Sequence, residues 1–274
     1  MRRLVFLVPL VLLGLLAGLA PATAAPPKDG DRFALLVGID HFQGATRPNT
    51  GAVGDTEDMK SALVAAGWPS GNIRMLTNSA ATASAIRDGL RWLAEQSNDN
   101  SFSVMAYSGH VKQTGSTEYL WPHDNSFISD TDLANSLRAV KGHLWAHISG
   151  CEAAGFDENL SSDRRLVTAA SQSWEKGYEL PPELRNSVFT NLLVEKGLLK
   201  KQGDTNKDGK VSIQEAFKLA ADRAPSLTAS ESNGPQHPYM AGGGGSEWFL
   251  ERTAGAGGGG GLPQPKFCLF SICF

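Results

Sequence analysis

Cysteine is scarce in this chain: three in 274 residues, with Cys151 alone in the interior and Cys268 and Cys273 together at the end. That excludes a disulfide-built scaffold and a cysteine-rich zinc module. The end pair can close one small loop, which leaves Cys151 as a lone thiol. On this ground alone it reads equally as an inert buried side chain or as a reactive group. Histidine is no better arranged for metal. His41, His123, His143, His147 and His237 lack ligand spacing; His143 and His147 are four apart, but in a strand-like segment rather than on one helix face. Clustered positive charge is missing too. The formal charge is −3 with no basic stripe, which excludes nucleic acid and anionic lipid as partners. No Gly-rich loop joins a strand to a helix, so a phosphate cradle is excluded.

What is present begins with an address. Arg2 and Arg3 precede an apolar run from Leu4 to Leu19, and small residues follow through Ala25. This order of charge, apolar core and A-x-A site predicts a cleavable secretory signal over residues 1–25 and a secreted, extracytoplasmic product. The run is shorter than the ~20 residues that span a bilayer, so no stable membrane insertion is expected after cleavage. Roughly 250 residues remain, enough for one α/β domain with a sizeable core.

Strand-like and helix-like segments then alternate. Continuous apolar runs at Phe33 to Ile39, Phe102 to Tyr107 and His143 to Ile148, with shorter ones at Ile73 to Leu76 and Leu166 to Ala170, read as strands. Helical spacing marks Asp55 to Ala66, Ala81 to Gln96, Asp130 to Leu137, Ser187 to Leu199 and Ile213 to Ala221. The alternation predicts a mainly parallel sheet covered by helices, with reacting groups gathered at the carboxyl ends of strands. Two such ends carry chemistry: Ser108-Gly109-His110 and Ser149-Gly150-Cys151. A thiol attacks a carbonyl as thiolate, and a histidine nearby can protonate the leaving amine. By spacing alone, two unrelated turn residues, a surface His and a core Cys, fit slightly better.

The wider pattern resembles the caspase and metacaspase peptidases, particularly bacterial ones. It runs from Phe33-Ala34-Leu35-Leu36-Val37-Gly38-Ile39-Asp40 through Gly51-Ala52-Val53-Gly54-Asp55, Tyr107-Ser108-Gly109-His110, Tyr119 to Asp124 and the Cys151 segment. Leu166 to Ser171 with Glu179, then Ser187 to Leu193, complete it. The resemblance implies a three-layer α/β/α caspase-like fold with a mainly parallel central sheet, and a monomer. It implies His110 and Cys151 as the catalytic pair, no catalytic cofactor and peptide or protein substrates. Asp55, Ser108 and Ser149 fall on substrate-pocket positions, which implies cleavage after Arg or Lys. Three departures stand out. Val111 follows the histidine where the family has Gly, Ser149 replaces a pocket Asp, and Glu152-Ala153-Ala154-Gly155 replaces Ser-Gly after the cysteine. They predict relaxed specificity, leave open an Asn preference, and sustain an alternative: a catalytically inactive, calcium-stabilised binding protein of the same fold. Asp55 also reads as a helix N-cap, and Glu152 as a further pocket carboxylate.

Residues 204–215 fit a twelve-residue calcium loop. Asp204, Asn206, Asp208, Lys210 (through its carbonyl), Ser212 and Glu215 are the expected ligands, with Gly209 at the sharp turn; a structural Ca2+ is the expected role. The peptidase domain is expected over residues 32–224. Residues 225–274, with glycine runs at 242–245 and 257–261, read as a flexible tail. Arg164-Arg165 and Lys200-Lys201 are candidate self-cleavage sites by charge.

Overall fold

In a computed structural model, residues 31–158 and 160–252 are described; the predicted leader and the Cys268/Cys273 tail lie outside them. A six-stranded sheet in the order β2-β1-β3-β7-β8-β9 forms the centre. Its strands are β1 (Arg32–Gly38), β2 (Ile73–Thr77), β3 (Phe102–Ser108), β7 (His143–Ser149), β8 (Arg165–Ala169) and β9 (Tyr239–Gly242). The first five are parallel, and β9 closes the edge antiparallel to β8. Every residue of β1, β3 and β7 is buried, which is why these strands read as continuous apolar runs.

The strand pleat divides the core in two. Ala34 and Leu36 of β1 face one layer, made by α1 (Ala52–Ala65), α5 (Ile213–Leu227) and α4 (Val188–Thr190), which runs on as a π-helix, Asn191–Leu199. Phe33, Leu35 and Val37 face the other, made by α2 (Ala83–Gln96) and α3 (Asp130–Arg138). This is the expected α/β/α fold with its mainly parallel sheet.

Three features differ from the sequence reading. Helix α1 starts at Ala52 rather than Asp55, and Asp40 caps it from the end of β1, its Oδ1 accepting the Ala52 N–H at 2.8 Å. Asp55 is therefore not an N-cap. A small antiparallel sheet, β4 (Val111–Thr114), β5 (Thr117–Leu120) and β6 (Ile128–Ser129), stands beside His110; its outer strand is mostly exposed and polar, so it lacks apolar alternation. The stretch after Ala224, read as tail, belongs to the domain through Arg252. Helix α5 continues over Pro225, β9 joins the sheet with Gly242, and Gly243 to Gly245 form a 3-10 turn. Trp248 is fully buried, and its Nε1 donates to the Gly243 carbonyl at 3.1 Å. Gly242 is needed here, since φ is +82° and a Cβ would lie 1.9 Å from the Arg165 carbonyl oxygen.

Candidate active site

Parallel pairing of β3 with β7 sets Ser108 opposite Ser149. Two residues further along each strand come His110 and Cys151, which line one cleft at the carboxyl edge of the sheet. The ladder extends one step past the strands, as the Gly109 N–H donates to the Ser149 carbonyl at 3.1 Å. Both intervening glycines are required by space. A Cβ on Gly109 would lie 2.9 Å from the Tyr107 hydroxyl, and one on Gly150 2.7 Å from Val111 Cγ2 and 2.9 Å from the Gly109 carbonyl oxygen. Val111 thus leans its side chain into room that Gly150 leaves open.

The His110 ring is fixed from two sides. Phe42 stacks on it with centroids 4.8 Å apart and planes at 23°. Its Nε2 lies 2.7 Å from the Arg47 carbonyl oxygen. A carbonyl only accepts, so Nε2 carries the proton and Nδ1 is the basic nitrogen of the neutral ring. Cys151 is half-buried, its Sγ 3.8 Å from the Gly177 carbonyl oxygen. Burial pushes its thiol pKa up; Glu152 adds to the rise and Lys176 opposes it.

Asp55, Ser108 and Ser149 are brought together, with Ser187 as the hub that joins them. Asp55 Oδ2 accepts from the Ser108 hydroxyl at 2.6 Å and the Ser187 hydroxyl at 2.7 Å, and Oδ1 accepts the Ser187 N–H at 3.0 Å. Ser149 Oγ lies 2.7 Å from Ser187 Oγ. The three serines line the cleft; Asp55 stands behind them, 3% exposed. Burial raises its pKa to about 7 against the opposing pull of these donors. Two carboxylates do line the cleft, Glu231 and Glu179; the two oxygens of Glu179 accept from the Thr50 N–H, the Thr50 hydroxyl and the Gly51 N–H at 2.8–3.0 Å. Glu152 adds no pocket carboxylate, because it is ion-paired with Lys176.

Several cleft residues carry no signal in the sequence. Arg47 contributes a backbone carbonyl, which any residue has. Glu231, Ser232 and Asn233 arrive from the segment after α5 and form one wall. Gln236 holds that wall in place, since its fully buried amide accepts the Tyr178 N–H at 3.1 Å and donates to the Ala170 carbonyl at 2.8 Å.

Away from the cleft, Asp204, Asn206 and Asp208 converge on the backbone of their own loop. Asp204 and Asn206 accept the Asp208 N–H at 3.1 and 2.9 Å, and Asp208 accepts the Lys210 N–H at 2.9 Å. Gly209 takes φ +84° as the sharp turn demands. Glu215 is turned elsewhere, into a capping box with Ser212 at the start of α5, and no group of three or more His, Cys, Asp or Glu side chains suited to a metal is found among the described residues. Arg165 is a poor cleavage site, since it opens β8 and its guanidinium is held by the Val140 and Gly142 carbonyls. Lys200 is ion-paired with Glu195, and Lys201 reaches the Gly209 carbonyl.

Comparison with known proteins completes the picture. A family model described as a caspase domain matches residues 31–239. Metacaspase-1 of Candida albicans (strain SC5314 / ATCC MYA-2876) is 30% identical over 131 residues, covering 39% of this chain and 29% of that one. The chain thus spans less than a third of the length of this curated relative. Among solved structures, caspase-1 from Spodoptera frugiperda superposes with a TM-score of 0.61 at 13% identity, over 82% of this chain and 94% of that one. Protein GSU0716 from Geobacter sulfurreducens gives 0.59 at 16% identity, over 78% and 94%. At these identities the two structures speak for the fold.

Proposed function

The chain belongs to the caspase-domain family of cysteine-type peptidases, and from that premise we propose that it is a secreted endopeptidase whose nucleophile is Cys151 and whose acid–base residue is His110. The observation that carries this reading is that both residues line one cleft, just past adjacent parallel strand ends, with the His110 ring already oriented by Arg47 and Phe42. His110 Nδ1 takes the Cys151 thiol proton and the thiolate adds to the peptide carbonyl; the same Nδ1–H then delivers that proton to the leaving amine as the C–N bond breaks, and water, giving its proton to Nδ1, releases the acyl group. The Gly109 N–H is already taken by Ser149. The family resemblance assigns the oxyanion to the Cys151 N–H and a backbone N–H beside His110, a contribution of about 3 kcal/mol in such sites.

Specificity for Arg or Lys at the cleaved position is supported by Glu179 on the cleft wall and Asp55 behind it. The serines between Asp55 and the cleft support relaxed discrimination. The loop at residues 204–215 fits Ca2+ in part: Asp204, Asn206 and Asp208 are gathered, while Ser212 and Glu215 are engaged in the capping box of α5. Bound there, Ca2+ would tie the α4–α5 connection and supply no chemistry to the cleft. Titration calorimetry and thermal melts with calcium or chelator test this, and equal melts with no binding heat reject it. Export rests on residues 1–25, and N-terminal sequencing of the mature protein tests it.

The deciding experiment is hydrolysis of fluorogenic peptides with Arg, Lys, Asn or Asp at the cleaved position, by wild type, Cys151→Ala and His110→Ala. Turnover lost in both variants supports the dyad. A folded wild type that cleaves none of them, and whose Cys151 reacts no faster than a free thiol, supports the inactive binding protein instead.

A further inference from the structure

The segments on either side of the thiol are zipped together. The Glu152 N–H donates to the Glu175 carbonyl at 2.8 Å, and the Glu152 carboxylate is ion-paired with the Lys176 ammonium. A Cβ on Gly177 would lie 2.5 Å from the Gly150 carbonyl oxygen, so the two backbones touch there. Residues 150–152 and 175–177 therefore run against each other, with Cys151 in the middle of the first segment. The arrangement costs backbone strain. Glu152 takes φ +47°, the left-handed region a non-glycine residue seldom occupies without an anchor. Its anchors are the Glu175 carbonyl and Lys176. The Glu152 side chain is 8% exposed, whereas Lys176, at 44%, also lines the cleft. Neither charge has a part in the His110–Cys151 chemistry described above.

We propose that Lys176 is a positioning residue for the nucleophile: through Glu152 it holds the left-handed turn that presents the Cys151 thiol and N–H, and its ammonium steadies the thiolate. The consequence for turnover rests on the peptidase reading; the consequence for the thiol does not. The charged groups that face Cys151 are few. Glu152 and Glu179 oppose the thiolate and Lys176 favours it, while His110, Arg47 and Glu231 line the same cleft. The two halves of one ion pair therefore act on the thiol in opposite directions. A salt bridge too remote for its charges to reach the thiol would show no such opposition.

The test is the pH dependence of Cys151 alkylation by iodoacetamide, followed on its own peptide by mass spectrometry, alongside peptide hydrolysis. Lys176→Gln should raise the midpoint and slow alkylation at pH 7 by about three- to tenfold, and Lys176→Arg should restore it. Glu152→Gln should lower the midpoint yet still slow hydrolysis, because the turn is loosened while the thiol gains charge. Shifts of the same sign in Lys176→Gln and Glu152→Gln, or no shift in either, overturn the proposal. Should Glu152→Gln fail to fold by circular dichroism, the Lys176→Gln and Lys176→Arg pair decides alone. Opposed shifts in a protein that hydrolyses no peptide would reject the peptidase reading and leave this inference standing.

Discussion

Ser187 bonds Asp55 twice, its N–H to Oδ1 at 3.0 Å and its hydroxyl to Oδ2 at 2.7 Å. With the Ser108 hydroxyl also on Oδ2, the carboxyl group is supplied with donors from inside the protein. Burial still wins, and its pKa rises from 3.8 to about 7. The folded state therefore keeps a proton that the unfolded chain releases near pH 4. The stabilisation is fully present below that pH and is lost as pH rises through about 7. Denaturant midpoints followed from pH 4 to 8 should fall more steeply for wild type than for Asp55→Asn. The difference across the window should be on the order of a few kcal/mol. Parallel slopes would mean that Asp55 is ionised throughout.

The same geometry assigns the reading of substrate charge mainly to Glu179. Asp55 lies behind Ser108, Ser149 and Ser187, whereas Glu179 is on the cleft wall. Comparing kcat/KM for a peptide ending in Arg with its neutral citrulline analogue isolates charge from shape. Glu179→Gln should lower that ratio by about tenfold at pH 7, and Asp55→Asn by less. For wild type the ratio should climb between pH 6 and pH 8 as Asp55 ionises. A larger loss in Asp55→Asn would return the leading role to Asp55.

Much of the fold was legible because its central strands are buried on both faces. Phe33 to Ile39, Phe102 to Tyr107 and His143 to Ile148 announce themselves as apolar runs, and each is found as a strand. The same periodicity placed His110 and Cys151 at strand ends, and motif order gave them their roles. What failed to show was whatever depends on partners distant in sequence. Asp55 looks like a helix cap, since acidic residues often begin helices; only the tertiary structure reveals that Asp40 has that task. The glycines at 242–245 look like a linker until the Arg165 carbonyl is seen to leave no room for a side chain at Gly242. Lys176 and Glu152 are ordinary surface letters 24 positions apart, and nothing in their local sequence pairs them.

Gly150 should tolerate no side chain. A methyl group there would press on Val111 Cγ2 and the Gly109 carbonyl oxygen, at 2.7 and 2.9 Å. Relief requires moving either the β4 strand or the Cys151 backbone, and each bears on the oxyanion donors. Gly150→Ala should therefore lose at least ~100-fold in kcat with little change in KM, the pattern of a disturbed transition-state contact. Adding Val111→Ala removes one of the two clashes and should recover only part of the loss. Full recovery would show that the Gly109 carbonyl is not a constraint, and unchanged activity in the single variant would show the same of both contacts.

Residues 225–252 should be indispensable to folding. Trp248 is wholly buried against Phe102, with ring centroids 5.6 Å apart, and its carbonyl accepts the Ile213 N–H at 2.8 Å at the start of α5. The Leu250 carbonyl accepts from Trp68 Nε1 at 2.9 Å, tying the same segment to the far end of α1. Trp248→Ala should cost about 3–5 kcal/mol, the usual range for emptying a large aromatic site. A chain ending at Ala224 loses this side chain, the β9 strand and the Gln236 tie behind the cleft together. It should be insoluble or molten, whereas one ending at Arg252 should keep the cooperative melt of the full chain. If the shorter chain melts cooperatively and its Cys151 alkylates like that of the longer one, the domain ends where the sequence pattern alone had placed it.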